Sequence, residues 1–304
     1  MNTQEIADIF LKNLNQKPQD FKRCAVGIGN EVYIVECESE KYIFRCSTEE
    51  NAYMETIHWL KRLSALELPI PKVLCSGSHE EYQYLILNFI EGEDIGLVYT
   101  NLTAPEKKQI AKEVMEIQRK VAHLQLDDVT GNWSWYDFLN EMLDRAELRI
   151  THNGYFDRTK VAQVKKLMES LDTYFCQVNP MAYLDDISTK NLLIHNGKVS
   201  GIIDIDWMGI GDNLTFIAMT YVALRNMDCE TDYIDYLLEE RGCTDEEHKA
   251  FLFYCLMYVV DFMGERGMLF GDKTIEVSDT VVERLNRIYE ELWDKYGRIF
   301  NSKR

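Results

Sequence analysis

Apolar positions Ile6, Ile9, Phe10 and Leu14 recur at helical spacing and predict an amphipathic helix over residues 1–15. The apolar stretches then shorten to strand length, at Cys24 to Gly27, Glu31 to Glu36 and Lys41 to Cys46, the last two joined by Cys37-Glu-Ser-Glu40. A helical segment from about Glu50 to Ser64, carrying Met54, Ile57, Trp59 and Leu60, ends before Pro69-Ile-Pro71, where two prolines forbid helix. Val73 to Cys75 and Tyr82 to Phe89 read as further strands. From Thr103 the period changes to that of a helix. Thr103-Ala-Pro-Glu106 is a capping box, and Ile110, Val114, Ile117, Val121 and Leu124 follow at helical spacing. Helices are predicted around residues 135–150 and 159–177, and again from Leu214 onward, with a last stripe at Val281, Leu285, Ile288 and Leu292. Between them, Leu192 to Asp204 reads as strand, Asn196-Gly197 turn, strand, the strongest short hairpin signal. The pattern predicts an α+β chain: a strand-rich lobe over residues 1–90, a connection near 88–94, and a mostly helical lobe over 91–304 with one embedded hairpin.

Composition narrows the class. A 304-residue chain that is 46% hydrophobic can bury a sizeable core. The longest apolar run, Phe251 to Val260, is closed by Asp261 and is too short to span a bilayer. The polar, acidic start Met1-Asn-Thr-Gln-Glu-Ile-Ala-Asp lacks the basic and apolar segments of a secretory signal, so a cytoplasmic protein without membrane attachment is expected. Eight cysteines without C-x-x-C spacing argue against zinc and disulfides. With 33 basic against 51 acidic residues, the net charge of -18 repels nucleic acid and attracts cations.

The candidate chemistry centres on Asp186-Ile-Ser-Thr-Lys-Asn191. An Asp and an Asn five positions apart at the entry to a strand form the second half of a kinase catalytic loop, and Asp204 follows at the end of the next strand-like run. Asp-x-x-x-x-Asn alone is an ordinary turn pattern. The hairpin gives it weight, because Asn191 at its entrance and Asp204 at its exit return to one place. Phosphoryl transfer needs such a trio: one carboxylate to orient and deprotonate a hydroxyl, a carboxamide and a second carboxylate to hold magnesium against the phosphates. Gly27, Gly29 and Asn30, between two strands, would let backbone N–H groups approach phosphate, although Val32 occupies the place of a third glycine and no P-loop motif is present. Arg45 ends a strand where a kinase carries its phosphate-pairing lysine. Its helical partner is expected to be Glu55, with Glu49 and Glu50 as rivals. Backbone groups of Asn88, Phe89 and Ile90 are expected to meet a purine edge.

Taken together, Gly-x-Gly-Asn-x-Val-Tyr, Arg45, Pro69-Ile-Pro71-Lys-Val-Leu74, the Asp186…Asn191 loop and Ile203-Asp204…Gly209-Ile-Gly211-Asp212 make residues 24–220 resemble the aminoglycoside phosphotransferase family. The resemblance implies a protein-kinase-like two-lobed fold. It implies Asp186 as catalytic base, Asn191 and Asp204 as Mg2+ ligands, ATP or GTP as co-substrate, and Asp212 as a support for the loop that follows it. Leu184-Asp185 stands where the family usually has His-Gly, which puts the geometry of the loop in question and sets Asp185 beside Asp186 as a rival base. Asp206 could bring a third carboxylate near the metals, and Ser188 could donate to the γ-phosphate. The expected acceptor is a hydroxyl of a small cationic molecule, an aminoglycoside first, with a macrolide, choline or another amino-alcohol as rivals, and a catalytically inactive binding protein as the reading from a different class. Asp261 and Glu265, four residues apart after an apolar run, are the expected acceptor-binding acids, against the alternative that they pair with Arg266 or another local cation.

Overall fold

The computed structural model describes residues 1–24, 31–126, 133–270 and 273–301, so the glycine-containing turn with Gly27, Gly29 and Asn30 lies outside the described residues. The chain divides into two compact units. The first comprises Met1–Glu93, Asn191–His195 and Val199–Trp207; the second comprises Asp94–Lys190, Asn196–Lys198 and Met208–Arg304.

In the first unit, helix α1 (Thr3–Leu14) opens with a capping box in which the Asn2 side chain accepts from Glu5 N–H while the Glu5 carboxylate accepts from Asn2 N–H. Strands β1 (Asp20–Arg23), β2 (Glu31–Glu36) and β3 (Lys41–Ser47) lead to α2 (Met54–Ser64), then to β4 (Val73–His79) and β5 (Tyr82–Asn88). The sheet is antiparallel throughout, in the order β1-β2-β3-β5-β4. Side chains alternate across a strand, so Tyr42, Phe44 and Cys46 of β3 share one face and Arg45 takes the other. The first face packs with Ile6, Ile9 and Phe10 of α1 and with Tyr33, Val35, Tyr84 and Ile86, and the Phe44 and Tyr84 rings stack 6.0 Å apart. The two-residue strand β6 (Glu93–Asp94) follows. The strand read at Cys24 to Gly27 lies, beyond Cys24, outside the described residues; among the described residues a strand that the pattern did not show runs over Asp20–Arg23, paired with β2. This is an edge strand with little burial, and its polar residues carry no apolar signal.

The second unit is built on helices. They are α3 (Ile95–Val98), α4 (Ala104–Val121), α5 (Trp135–Asn153), α6 (Thr159–Ser170), α7 (Asp172–Phe175), α8 (Leu214–Asn226), α9 (Asp232–Arg241), α10 (Asp245–Glu265) and α11 (Asp279–Asn301). Helix α10 is apolar on nearly every side and is correspondingly buried, with α5, α6, α8 and α11 around it, while α4 packs on α9. The short strand β7 (Ala182–Tyr183) pairs antiparallel with β10 (Gly209–Ile210). Strands β8 (Leu192–His195) and β9 (Lys198–Ile202), which but for Lys198 belong to the first unit, form the hairpin announced by Asn196-Gly197, whose φ angles of 50° and 73° suit its tight turn. A last short pair, β11 (Leu269–Phe270) and β12 (Lys273–Thr274), precedes α11. The helix expected over 159–177 is two helices, broken at Leu171. All eight cysteines are free thiols. No helix among the described residues is long and apolar enough to cross a membrane.

Candidate active site

In the second unit the segment 184–189 is fastened by its backbone on both sides of Asp186. The Gln118 carboxamide of α4 accepts from Leu184 N–H at 2.9 Å and donates to Leu184 C=O at 2.7 Å. At the other end, Gly96 N–H donates to Thr189 C=O at 3.0 Å. A Cβ on residue 96 would lie 2.6 Å from that oxygen, so only glycine lets α3 approach so closely. Between the two fastenings, Leu184, Ile187 and Ser188 are buried and Asp186 is exposed. Asp185 is half-buried, and its carboxylate accepts from Asp186 N–H at 3.0 Å. Burial, reinforced by the neighbouring Asp186 charge, pushes Asp185 up to about 6. Asp185 thus serves as a local acceptor in the loop, and Asp186 is the carboxylate presented to solvent.

The first unit holds the other two members of the trio. Ile203 N–H donates to Asn191 C=O at 2.9 Å, so the hairpin does bring the residue beside Asp204 back to Asn191. Ile202 N–H anchors the second strand to Pro69 C=O at 2.8 Å. Asn191 and Asp204 both have left-handed backbone conformations, with φ of 65° and 58°. Among the described residues no three His, Cys, Asp or Glu side chains cluster as a metal site. The oxygen donors of Asn191 and Asp204 suit Mg2+, which habitually completes its octahedron with water and phosphate rather than with an all-protein cage.

Arg45 is 7% exposed and grips Asp206 through both terminal nitrogens, at 3.0 and 2.9 Å, with Asp204 at 3.4 Å and the Tyr53 ring centroid at 5.3 Å. The Thr56 hydroxyl also donates to Asp206, at 2.7 Å. Burial pushes the Asp206 carboxyl up, and the Arg45 fork and Thr56 more than offset this, holding it below the usual range. The expected pairing of Arg45 with Glu55 is therefore corrected. On α2 the inward residue is Thr56, which is buried, while Glu55 is on the exposed side. Arg45 Nε is buried and has no hydrogen-bond partner among the described residues.

At the expected purine-facing segment, Asn88 N–H donates to Lys72 C=O and Phe89 N–H to Lys41 C=O, both at 3.3 Å, and the Asn88 side chain accepts from Lys72 N–H. Among the described residues, Ile90 is the one of the three whose backbone carries no hydrogen bond. Its side chain lies against Gly201, where a Cβ would come within 2.6 Å of Ile90 Cγ2.

Asp261 and Glu265 do share a face of α10, together with Tyr258. Asp261 pairs at 3.0 Å with Arg149 of α5, and Arg266 instead donates to the Phe262 carbonyl near the end of its own helix. Burial raises Asp261 while Arg149 and Arg145 pull it back. Burial first and Asp261 second push Glu265 up to about 7. Burial first, then the neighbouring Tyr183, Asp185 and Asp261, hold the Tyr258 phenol well above its ordinary range. Asp212 is 5% exposed; it accepts from the hydroxyls of Tyr174 (2.6 Å) and Tyr254 (3.0 Å) and from Leu214 N–H (3.0 Å), which ties the segment after β10 to the start of α8.

The model of the phosphotransferase enzyme family matches residues 20–247, and the chain belongs to that family. It is an enzyme of the phosphoryl-transfer class acting on small molecules. An aminoglycoside 3'-phosphotransferase from Enterococcus faecalis is 23% identical over 186 residues, 60% of this chain and 70% of the relative. The apo form of a thermostable mutant of aminoglycoside phosphotransferase APH(4)-Ia superposes with a TM-score of 0.65 at 16% identity, covering 98% of this chain and 99% of that one. The streptomycin–ATP ternary complex of APH(2")-IIa gives 0.62 at 14% identity, covering 99% of each chain. The fold is the kinase-like one, with an N-terminal antiparallel sheet and a mostly helical C-terminal part.

Proposed function

We propose that this chain transfers the γ-phosphoryl group of ATP or GTP to a hydroxyl of a small cationic acceptor, an aminoglycoside first, in the cytoplasm. The observation that carries the reading is the presentation of Asp186, solvent-exposed on a loop whose backbone is held on both sides of it. In this reading the Asp186 carboxylate accepts the hydroxyl proton as the acceptor oxygen forms its bond to the γ-phosphorus and the bond to the β–γ bridging oxygen breaks. Asn191 and Asp204 would hold Mg2+, which would neutralise charge on the phosphates. Arg45 keeps Asp204 and Asp206 in place from the strand above them, and Ser188 is the candidate donor to the γ-phosphate. The backbone of Ile90 offers the purine its one donor and one acceptor. Asp261 and Glu265 face the acceptor. Relatives whose structures contain hygromycin B or streptomycin with a nucleotide support the acceptor class.

The test is ADP or GDP production with Mg2+, run with ATP and with GTP against hygromycin B, streptomycin, a macrolide and choline. Turnover with an aminoglycoside alone supports the proposal. Turnover confined to choline or the macrolide moves the acceptor, and none above that of Asp186→Asn with any acceptor overturns catalysis.

A further inference from the structure

We infer that Gln118 is a positioning residue for phosphoryl transfer, its carboxamide setting where Asp186 stands through a two-point clamp on Leu184. The inference rests on the reading of Asp186 as the base.

Helix α4 buries a stripe at Ile110, Val114, Ile117 and Val121, and Gln118 lies among them at 1% exposure. A buried carboxamide is costly unless both its ends are bonded. Here both ends are satisfied by a single residue, Leu184, itself 3% exposed. One planar amide meeting the N–H and C=O of one residue fixes both position and rotation, as strand pairing does. The register of β7 with β10 stops at Tyr183, so Gln118 takes over one residue beyond the last strand pair and two before Asp186.

The side-chain type follows from the task. Leucine or methionine fills the space but leaves two buried backbone groups unpaired. Glutamate sets a carboxylate oxygen against the Leu184 carbonyl. Asparagine is one methylene short of reaching both. A helix stripe built only for packing has no use for a glutamine at this place. With the other end of the loop held by Gly96, a loosened Leu184 lets the segment that carries Asp186 shift, and about 1 Å of misplacement at a reacting group costs on the order of 10²-fold.

The test is steady-state ADP production from ATP and Mg2+ with hygromycin B, and with water as acceptor, well below each variant's Tm. Gln118→Met is expected to lower kcat about 10–100-fold while leaving both KM values within about twofold. The double variant Gln118→Met/Asp186→Asn is expected to be no slower than Asp186→Asn alone, since the clamp acts through that carboxylate. A lower Tm with unchanged kcat in the folded fraction shows a purely structural glutamine and overturns the inference, as does full additivity in the double variant. If Gln118→Met does not fold, Gln118→Asn is read by the same criteria. Full activity in Asp186→Asn would sink the base assignment instead, a result the clamp variants cannot mimic.

Discussion

Arg45 and Asp206 form a forked ion pair that fixes the end of the Asp204-Ile205-Asp206 segment to strand β3. The guanidinium is almost wholly buried and the carboxylate only partly so. Arginine is needed for the fork, because a lysine ammonium is a single point charge and cannot meet both oxygens in one plane. Arg45→Lys is therefore expected to lower stability by about 1–3 kcal/mol, the range for a charge-assisted bond lost at a partly exposed site. Urea unfolding at neutral pH measures it, and a change confined to the noise would show the fork to be energetically idle.

Removing the proposed base has a defined signature. Asp186→Asn is expected to cut turnover by about 10²–10⁴-fold with nucleotide affinity retained. Asp185→Asn keeps an acceptor for the Asp186 N–H and is expected to cost far less. The reverse ranking in parallel kinetics would exchange their roles.

Metal dependence tests the hairpin. Asn191→Ala and Asp204→Ala are each expected to weaken magnesium-supported nucleotide binding about tenfold or more, and to leave any magnesium-free binding alone. Calorimetry with and without magnesium separates the two, and unchanged affinity in Asp204→Ala would remove that carboxylate from the metal site.

The acceptor acids are tested by charge. Asp261→Asn is expected to raise the KM of a cationic acceptor several-fold with the nucleotide KM unchanged, and added salt should reproduce part of the effect. Because Arg149 already pairs with Asp261, a purely structural role predicts lower stability and unaltered acceptor kinetics in the same variant.

Stability should respond to pH in two opposite senses. Glu265 is raised from 4.5 to about 7, so the folded state holds its proton more tightly, and its contribution is lost as pH rises through that interval. Asp206 is lowered from 3.8, so its contribution is present above that value and is lost as pH falls below it. Urea midpoints measured from about pH 3 to about pH 8 should fall toward both ends of that range. Glu265→Gln should flatten the upper limb and Asp206→Asn the lower.

Much of the fold was legible where local chemistry is strong. Asn196-Gly197 announced the hairpin, and Thr103 with Glu106 announced α4, whose capping box is formed as expected. The alternation of β3 put Arg45 on the face away from α1. Strand β1 stayed hidden because an exposed edge strand carries polar residues. The partner of Arg45 was misread because sequence proximity on α2 favoured Glu55, whereas the carboxylate that reaches it comes from 161 positions away. Gln118 was visible as one polar residue on the apolar face of α4, but its two bonds go to Leu184, 66 residues on. Leu184, where the family resemblance expects histidine, is held by this amide, so the substitution leaves the backbone there secured.

The left-handed backbone at Asn191 and Asp204 narrows which residues either position accepts. Beyond glycine, asparagine and aspartate are the side chains that best tolerate that conformation, and both end in an oxygen able to bind a hard cation. Backbone geometry and ligand chemistry thus select the same two amino acids. Alanine at either site confounds the loss of an oxygen with conformational strain, whereas glycine deletes the oxygen and leaves the turn relaxed. Comparing the two replacements at one position therefore reads out, as separate quantities, what the side chain does for the ligand and what it does for the chain.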